Sequence, residues 1–121
     1  IDLPFAYSFF SNLENESEIA PHYGPCNIRV RLHLGIDIPN TEKKDACRME
    51  IAEYSHNWKE GECFVFDDTY IHSVQNYSGK NRVILLIDLW HPEIHKHEKE
   101  AIVNMFRKGQ EMISNKNTNL N

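Results

Sequence analysis

The chain has 121 residues, enough for one domain with one modest core. A formal net charge of −5 excludes the overall basic face on which a nucleic-acid binder depends, so no nucleic-acid partner is expected, although a pocket in an acidic protein can be locally basic. Cys26, Cys47 and Cys63 lack CxxC spacing and read as reduced thiols, no apolar run approaches the roughly 20 residues of a membrane span, and no signal-peptide pattern opens the chain. The expected setting is cytoplasmic, without a transmembrane segment.

Residues 3–10 (LPFAYSFF) are aromatic and β-prone. Residues 11–21 are polar and acidic, and read as a loop with a short extended piece. His22-Tyr23-Gly24-Pro25 marks a turn. Residues 28–38 (IRVRLHLGIDI) alternate as a strand: Arg29, Arg31 and His33 point one way, Ile28, Val30, Leu32 and Leu34 the other. The charged side is either a solvated face or the lining of an anion-binding cavity. Residues 39–46 form a charged turn. Residues 47–54 alternate again, with Cys47, Met49, Ile51 and Glu53 on one side.

Residues 55–62 read as a loop closed by Gly61. Residues 63–66 and 82–90 are short apolar runs with the look of buried strands, 69–75 is a further strand, and 76–81 is a turn cluster. From Pro92 the period changes. Residues 92–113 predict a helix with Pro92 in first position, followed by a frayed polar tail at 114–121. Many short strands followed by one helix predict a mostly β sandwich or jelly roll with a C-terminal α-helix.

The histidines fall into two sets. His91, His95 and His97 sit at the helix start, where a solvated face is the plain reading and a zinc site the alternative. His22, His33 and His72 lie in or beside the β region. Imidazole suits iron, and mononuclear non-haem oxygenases use two histidines and a carboxylate. The carboxylate position, two residues after His22, is occupied here by Gly24, which ligates nothing. Arg82, ten residues after His72 on the next strand, would suit a carboxylate-bearing cosubstrate.

Four ordered stretches carry a resemblance: FSNL followed by IAPHYGPCN, then RVRLHLGIDIP, then the W..GE....FDD..IH pattern from Trp58 to His72, then RVILLIDLWHPE. Over residues 10–93 the chain resembles the aspartyl/asparaginyl β-hydroxylase family of Fe(II)- and 2-oxoglutarate-dependent oxygenases. The resemblance implies a double-stranded β-helix, with residues 1–121 as a single domain (core 5–93, helix 92–113). It also implies N-terminal truncation, since family domains carry a longer segment before the first strand and this chain begins at Ile1.

Members with glycine two positions after the first histidine bind iron through two histidines, with water in the carboxylate position. His22 and His72 are thereby the implied iron ligands, and Asp68 the acid that orients an iron-bound water. Arg82 with Ser11 is implied as the clamp for the distal carboxylate of 2-oxoglutarate. Arg31 and His33 are implied to meet cosubstrate or substrate, with Arg29 a weaker candidate. The implied cofactors are Fe(II), 2-oxoglutarate and O2. The implied reaction is hydroxylation of an unactivated C–H with release of succinate and CO2, on a protein or peptide Asp/Asn side chain or on a lipid acyl chain. Two other readings remain: a non-catalytic jelly-roll binding module that keeps the metal and anion pocket, and a cupin-like metal enzyme of another reaction type.

Overall fold

Successive strands of this chain cross repeatedly between two sheets. The computed structural model describes residues 3–39 and 42–118, and within them eight strands precede one helix. These are β1 (Ser8–Leu13), β2 (Ser17–His22), β3 (Arg29–Asp37), β4 (Cys47–Ile51), β5 (Tyr54–His56), β6 (Cys63–Phe66), β7 (His72–Asn76), β8 (Arg82–Trp90) and α1 (Lys96–Thr118). The eight strands pair antiparallel, in the orders β1-β8-β3-β6 and β2-β7-β4-β5, and one isolated parallel bridge joins Gly35 to Glu60. The expected mostly β jelly roll with a C-terminal helix is the observed architecture.

The core lies between the sheets. Leu13, Cys47, Met49, Trp58, Phe66, Val74 and Ile84 form it, and each large apolar side chain buried there is worth about 1.5–3 kcal/mol. Cys47, Met49 and Ile51 do face inward. Glu53 does not: residues 47–54 are two strands, not one, because the chain turns at Ala52, where φ is 49°. The predicted loop at 55–62 therefore begins inside β5.

Four other boundaries differ from the sequence expectations. The aromatic run at 3–10 does not open as a strand. Phe5 is buried and packs edge-on to Trp90, with ring centroids 4.9 Å apart, and its carbonyl accepts a bond from Arg29 Nη1 at 2.6 Å. The acidic stretch 11–21 contains the end of β1 and nearly all of β2. As an edge strand β2 is exposed along almost its whole length, so it carries no apolar alternation to betray it. The helix starts at Lys96, not at Pro92. Glu98 reaches back to accept the His95 backbone N–H at 2.7 Å, closing the first turn there. The helix also continues to Thr118, through much of the segment expected to fray; residues 119–121 lie outside the described residues. No residue of α1 is buried, and it meets the barrel through Phe106 on Phe5 and Lys99 over Trp90.

The alternation of β3 is resolved in the less common sense. Arg29 and His33 are buried and Arg31 half-buried on the inner face, while Val30, Leu32 and Leu34 form the outer face of their sheet. β8 repeats this at its ends, turning Arg82 and Asp88 inward around Ile84 and Leu86. Burying charge costs several kcal/mol per group unless it is paired, so the polar groups inside this sandwich call for partners.

Candidate metal and anion site

The inner faces of both sheets close on a cavity of ≈ 70 Å³, whose polar lining is Ser11, His22, Arg31, His33, His72 and Arg82. Ile19, Met49, Phe66, Val74, Ile84 and Leu86 make its apolar walls. Six of the seven site residues expected from the sequence are thus in one place. The seventh, Asp68, is packed behind them, 1% exposed.

His22 ends β2 and His72 begins β7, and the ladder pairs them across a β2 irregularity between Ile19 and His22. Their ring centroids are 4.2 Å apart. Each Nδ1–H donates to the carbonyl two residues earlier, His22 to Ala20 and His72 to Tyr70, both at 2.8 Å. A carbonyl only accepts, so the proton is on Nδ1 and each Nε2 keeps its lone pair for a ligand. Burial pushes the His72 pKa below the usual imidazole value, which favours the neutral, ligating form.

Among the described residues no set of three or more His, Cys, Asp or Glu is gathered as a metal cluster. The reason lies at Gly24. A Cβ there would collide with the Asp68 carboxyl group. The Gly24 N–H also donates to the Asp68 carbonyl at 2.6 Å, so the two backbones are pressed together. Position 24 therefore cannot carry a ligating side chain while Asp68 stays where it is. Asp68 Oδ2 accepts from Arg29 Nη2 at 3.0 Å, whereas Oδ1 is buried without a partner. A metal held by two imidazoles, its other positions filled by water or cosubstrate, fits this donor set: two free Nε2 atoms, a space where a third protein ligand would stand, and an orphaned carboxylate oxygen beside it.

Arg29 and Arg31 are balanced by acids. Arg31 donates from Nε and Nη2 to the two oxygens of Asp88 at 2.8 and 3.1 Å, and Arg29 Nη1 lies 3.3 Å from Asp88 Oδ2. Burial alone would lower the Arg29 pKa, but Asp68 and Asp88 outweigh it and hold the guanidinium above its ordinary value. Arg29 does not line the cavity.

Arg82 is a different case. It is 1% exposed, and burial lowers its pKa to about 10, which leaves it charged at neutral pH. Its Nη2 donates to Ser11 Oγ at 2.9 Å and its guanidinium lies 4.5 Å over the Trp58 ring. Its Nε has no partner, and no acid pairs with it among the described residues. Beside it, His33 Nδ1 accepts the Trp58 indole N–H at 3.2 Å. The proton of the neutral ring is then on Nε2, which is buried and unpartnered. Burial, with Arg82 and Arg31 nearby, lowers the His33 pKa to about 3, so it remains a neutral donor. A buried cation and a buried N–H donor, both short of partners at one end of a cavity, form a seat for an anion.

Comparison with known proteins gives the family and the fold. The family model described as Aspartyl/Asparaginyl beta-hydroxylase matches residues 1–92. The chain belongs to the aspartyl/asparaginyl β-hydroxylase family. It is 34% identical over 109 residues to the aspartate beta-hydroxylase domain-containing protein 2 of Homo sapiens, covering 88% of this chain and 28% of that protein. It is 33% identical over 93 residues to the human aspartyl/asparaginyl beta-hydroxylase, covering 77% of this chain and 12% of that protein. The chain thus spans less than a third of the length of either relative. In structure it is similar to a cupin family protein with a double-stranded β-helix fold from Methanocaldococcus jannaschii, at 18% identity, 77% coverage of each chain and a TM-score of 0.53. A Cupin 2 conserved barrel domain protein from Salinispora arenicola gives the same TM-score at 10% identity, covering 89% of this chain and 74% of that one. These likenesses concern the fold alone.

For this β-hydroxylase-family chain, two site residues escaped the sequence reading. Asp88 had a signal, an acid at an inward position of an otherwise apolar strand, in phase with Arg82. Trp58 was seen in the pattern without a role; its contact with both Arg82 and His33 depends on the path of the loop before β6. Among the described residues the helix-start histidines belong to no metal cluster, although the His95 and His97 rings stack with centroids 5.8 Å apart. His91 Nδ1 accepts the Glu93 N–H at 3.2 Å, its Nε2 lies 3.9 Å from Asp67, and His95 and His97 are exposed. Asn76 is fully buried, with its amide nitrogen bonded to three carbonyls. Among the described residues no helix is long and apolar enough to cross a membrane.

Proposed function

We propose that this chain is an Fe(II)- and 2-oxoglutarate-dependent hydroxylase acting on an unactivated C–H of a peptide Asp/Asn side chain or an acyl chain. The observation that carries the reading is Arg82: a buried, charged guanidinium with no acid partner among the described residues, in the same cavity as two imidazoles whose Nδ1 atoms are engaged by backbone carbonyls. Such a cation needs an anion from outside, and 2-oxoglutarate brings a carboxylate to each end of a short chain. Its distal carboxylate would lie on Arg82, with Ser11 Oγ and His33 Nε2–H as further donors.

His22 and His72 would hold the iron through Nε2. Asp68 Oδ1 would accept a hydrogen bond from water in the position that Gly24 leaves clear, and so orient that water. The side chains of Met49, Phe66, Val74, Ile84 and Leu86 give the rest of the cavity an apolar wall. Bound iron would supply the redox chemistry that couples O2 and the decarboxylation of 2-oxoglutarate to C–H hydroxylation, releasing succinate and CO2.

The test is succinate formation from 2-oxoglutarate with Fe(II), ascorbate and O2, together with metal affinity. His22→Ala and His72→Ala are each expected to lose both turnover and metal binding. Wild-type turnover in both variants would sink the site assignment. A non-catalytic module would bind 2-oxoglutarate without forming succinate, and a metal enzyme of another type would lack the charge-transfer band of the anaerobic Fe(II)–2-oxoglutarate chelate.

A further inference from the structure

The two acids behind the cavity are not equivalent. Asp68 leaves one oxygen unpartnered beside Gly24, whereas Asp88 spends both on the arginines and on the chain before β1. Its oxygens take Nε and Nη2 of Arg31 side-on, the geometry that fixes the plane of a guanidinium. Nη1 is then the one nitrogen of Arg31 not engaged by that acid, on a side chain that lines the cavity and is 16% exposed. Asp88 Oδ2 also accepts the Tyr7 N–H at 3.0 Å and lies 3.3 Å from Arg29 Nη1. With Asp68 it brings the local sum of two cations and two anions to zero, so the uncompensated charge of the cavity is left to Arg82.

We propose that Asp88 is the positioning residue of this site: it holds the Arg31 guanidinium edge-on to the cavity so that Nη1 meets a ligand carboxylate, and it cancels the charge that would otherwise compete with Arg82 for that ligand. The ligand half of this inference rests on the 2-oxoglutarate reading. Arg29, which is buried against Phe5, Asp68 and Asp88, belongs to the support and not to the ligand contact.

A double-mutant cycle tests it. Asp88→Asn, Arg31→Gln and the double variant are loaded with Mn(II), and 2-oxoglutarate affinity is measured by calorimetry or by Trp58 fluorescence. Asp88→Asn is expected to weaken binding on the order of tenfold in the wild-type background. Once Arg31 is Gln, the same change should have no further effect. Additive losses would mean that Asp88 acts through general stability, and would overturn the proposal. A second readout needs no ligand: the Arg31 Nε–H should exchange slowly in the wild-type protein and rapidly in Asp88→Asn. Unchanged exchange would equally overturn it. If Asp88→Asn does not fold, Asp88→Glu keeps the charge but displaces the fork, and should show the same coupling at smaller size. A wild-type protein that binds no 2-oxoglutarate, while Arg31 exchange still depends on Asp88, would sink the cosubstrate reading and leave the anchoring of Arg31 standing. Binding in wild type with an additive cycle would do the reverse.

Discussion

At one end of the sandwich Arg29 and Arg31 share Asp68 and Asp88; toward the other, six positions from Asp88 on β8 and roughly 20 Å along the strand, Arg82 has Ser11 and an indole face but, among the described residues, no acid. Arg29 and Arg82 are similarly hidden from solvent, at 3% and 1% exposure. Burial therefore does not distinguish them; their partners do. Arg29, fully buried and already matched by carboxylates, is complete in the folded chain and works as scaffold. A buried guanidinium without one is an unfinished interaction, and its counter-ion must come from outside. Under the proposed function, the same difference would put metal and water near the compensated pair and the histidines, and the cosubstrate carboxylate at Arg82.

The comparison can be broken by removing each cation in turn. Arg82→Met is expected to weaken 2-oxoglutarate binding on the order of 100-fold, as the charge-assisted bonds are lost. Without ligand it should leave the unfolding midpoint unchanged or raised, because an uncompensated buried charge is gone. Arg29→Met should behave in the opposite way. It strands Asp68 and weakens the hold on Asp88, so urea unfolding should register a loss of about 3–5 kcal/mol. A large stability loss in Arg82→Met, with Arg29→Met neutral, would show that the two ends had been assigned the wrong way round.

A smaller effect is expected at Gly24. Gly24→Ala forces its Cβ against the Asp68 carboxyl, which must shift against its bond from Arg29. The expected cost is about 1–3 kcal/mol, with weakened metal binding that isothermal titration would detect. An aspartate at 24 should not rescue it, since the carboxylates would compete for the same space.

The gentlest probe is pH. His33 has a folded pKa of about 3 against an ordinary 6.5, so the unfolded chain binds a proton that the folded chain refuses. Stability is then full above about 6.5 and falls as pH drops toward 3, with a slope of up to about 1.4 kcal/mol per pH unit from this group. His33→Gln should remove that part of the slope in urea titrations at successive pH values. An unchanged slope would mean that His33 is protonated in the folded state and is not the neutral donor described.

Much of the fold was legible because sheet strands announce themselves through period two and turns through Gly, Asn and Pro. The strands that failed to announce themselves were β2 and β5. Each lies at a sheet edge, with one neighbour and little to bury, and so has no apolar alternation. The helix start was misplaced because Pro92 is a permitted first residue, whereas the Glu98-to-His95 bond that sets the true start depends on a side-chain rotamer.

For the site, residue type and order along the chain determined the list: two histidines, a glycine where a carboxylate would ligate, an acid, and arginines on alternating strand positions. Only the tertiary structure decided which way β3 faces, because an alternating pattern reads identically with its charges inward or outward. Only it paired Asp88 with Arg31 and left Arg82 without an acid, because pairing is set by register between strands distant in sequence. Only it gave Gly24 its steric reason, through a carboxyl group forty-four residues away packed where a side chain would have been.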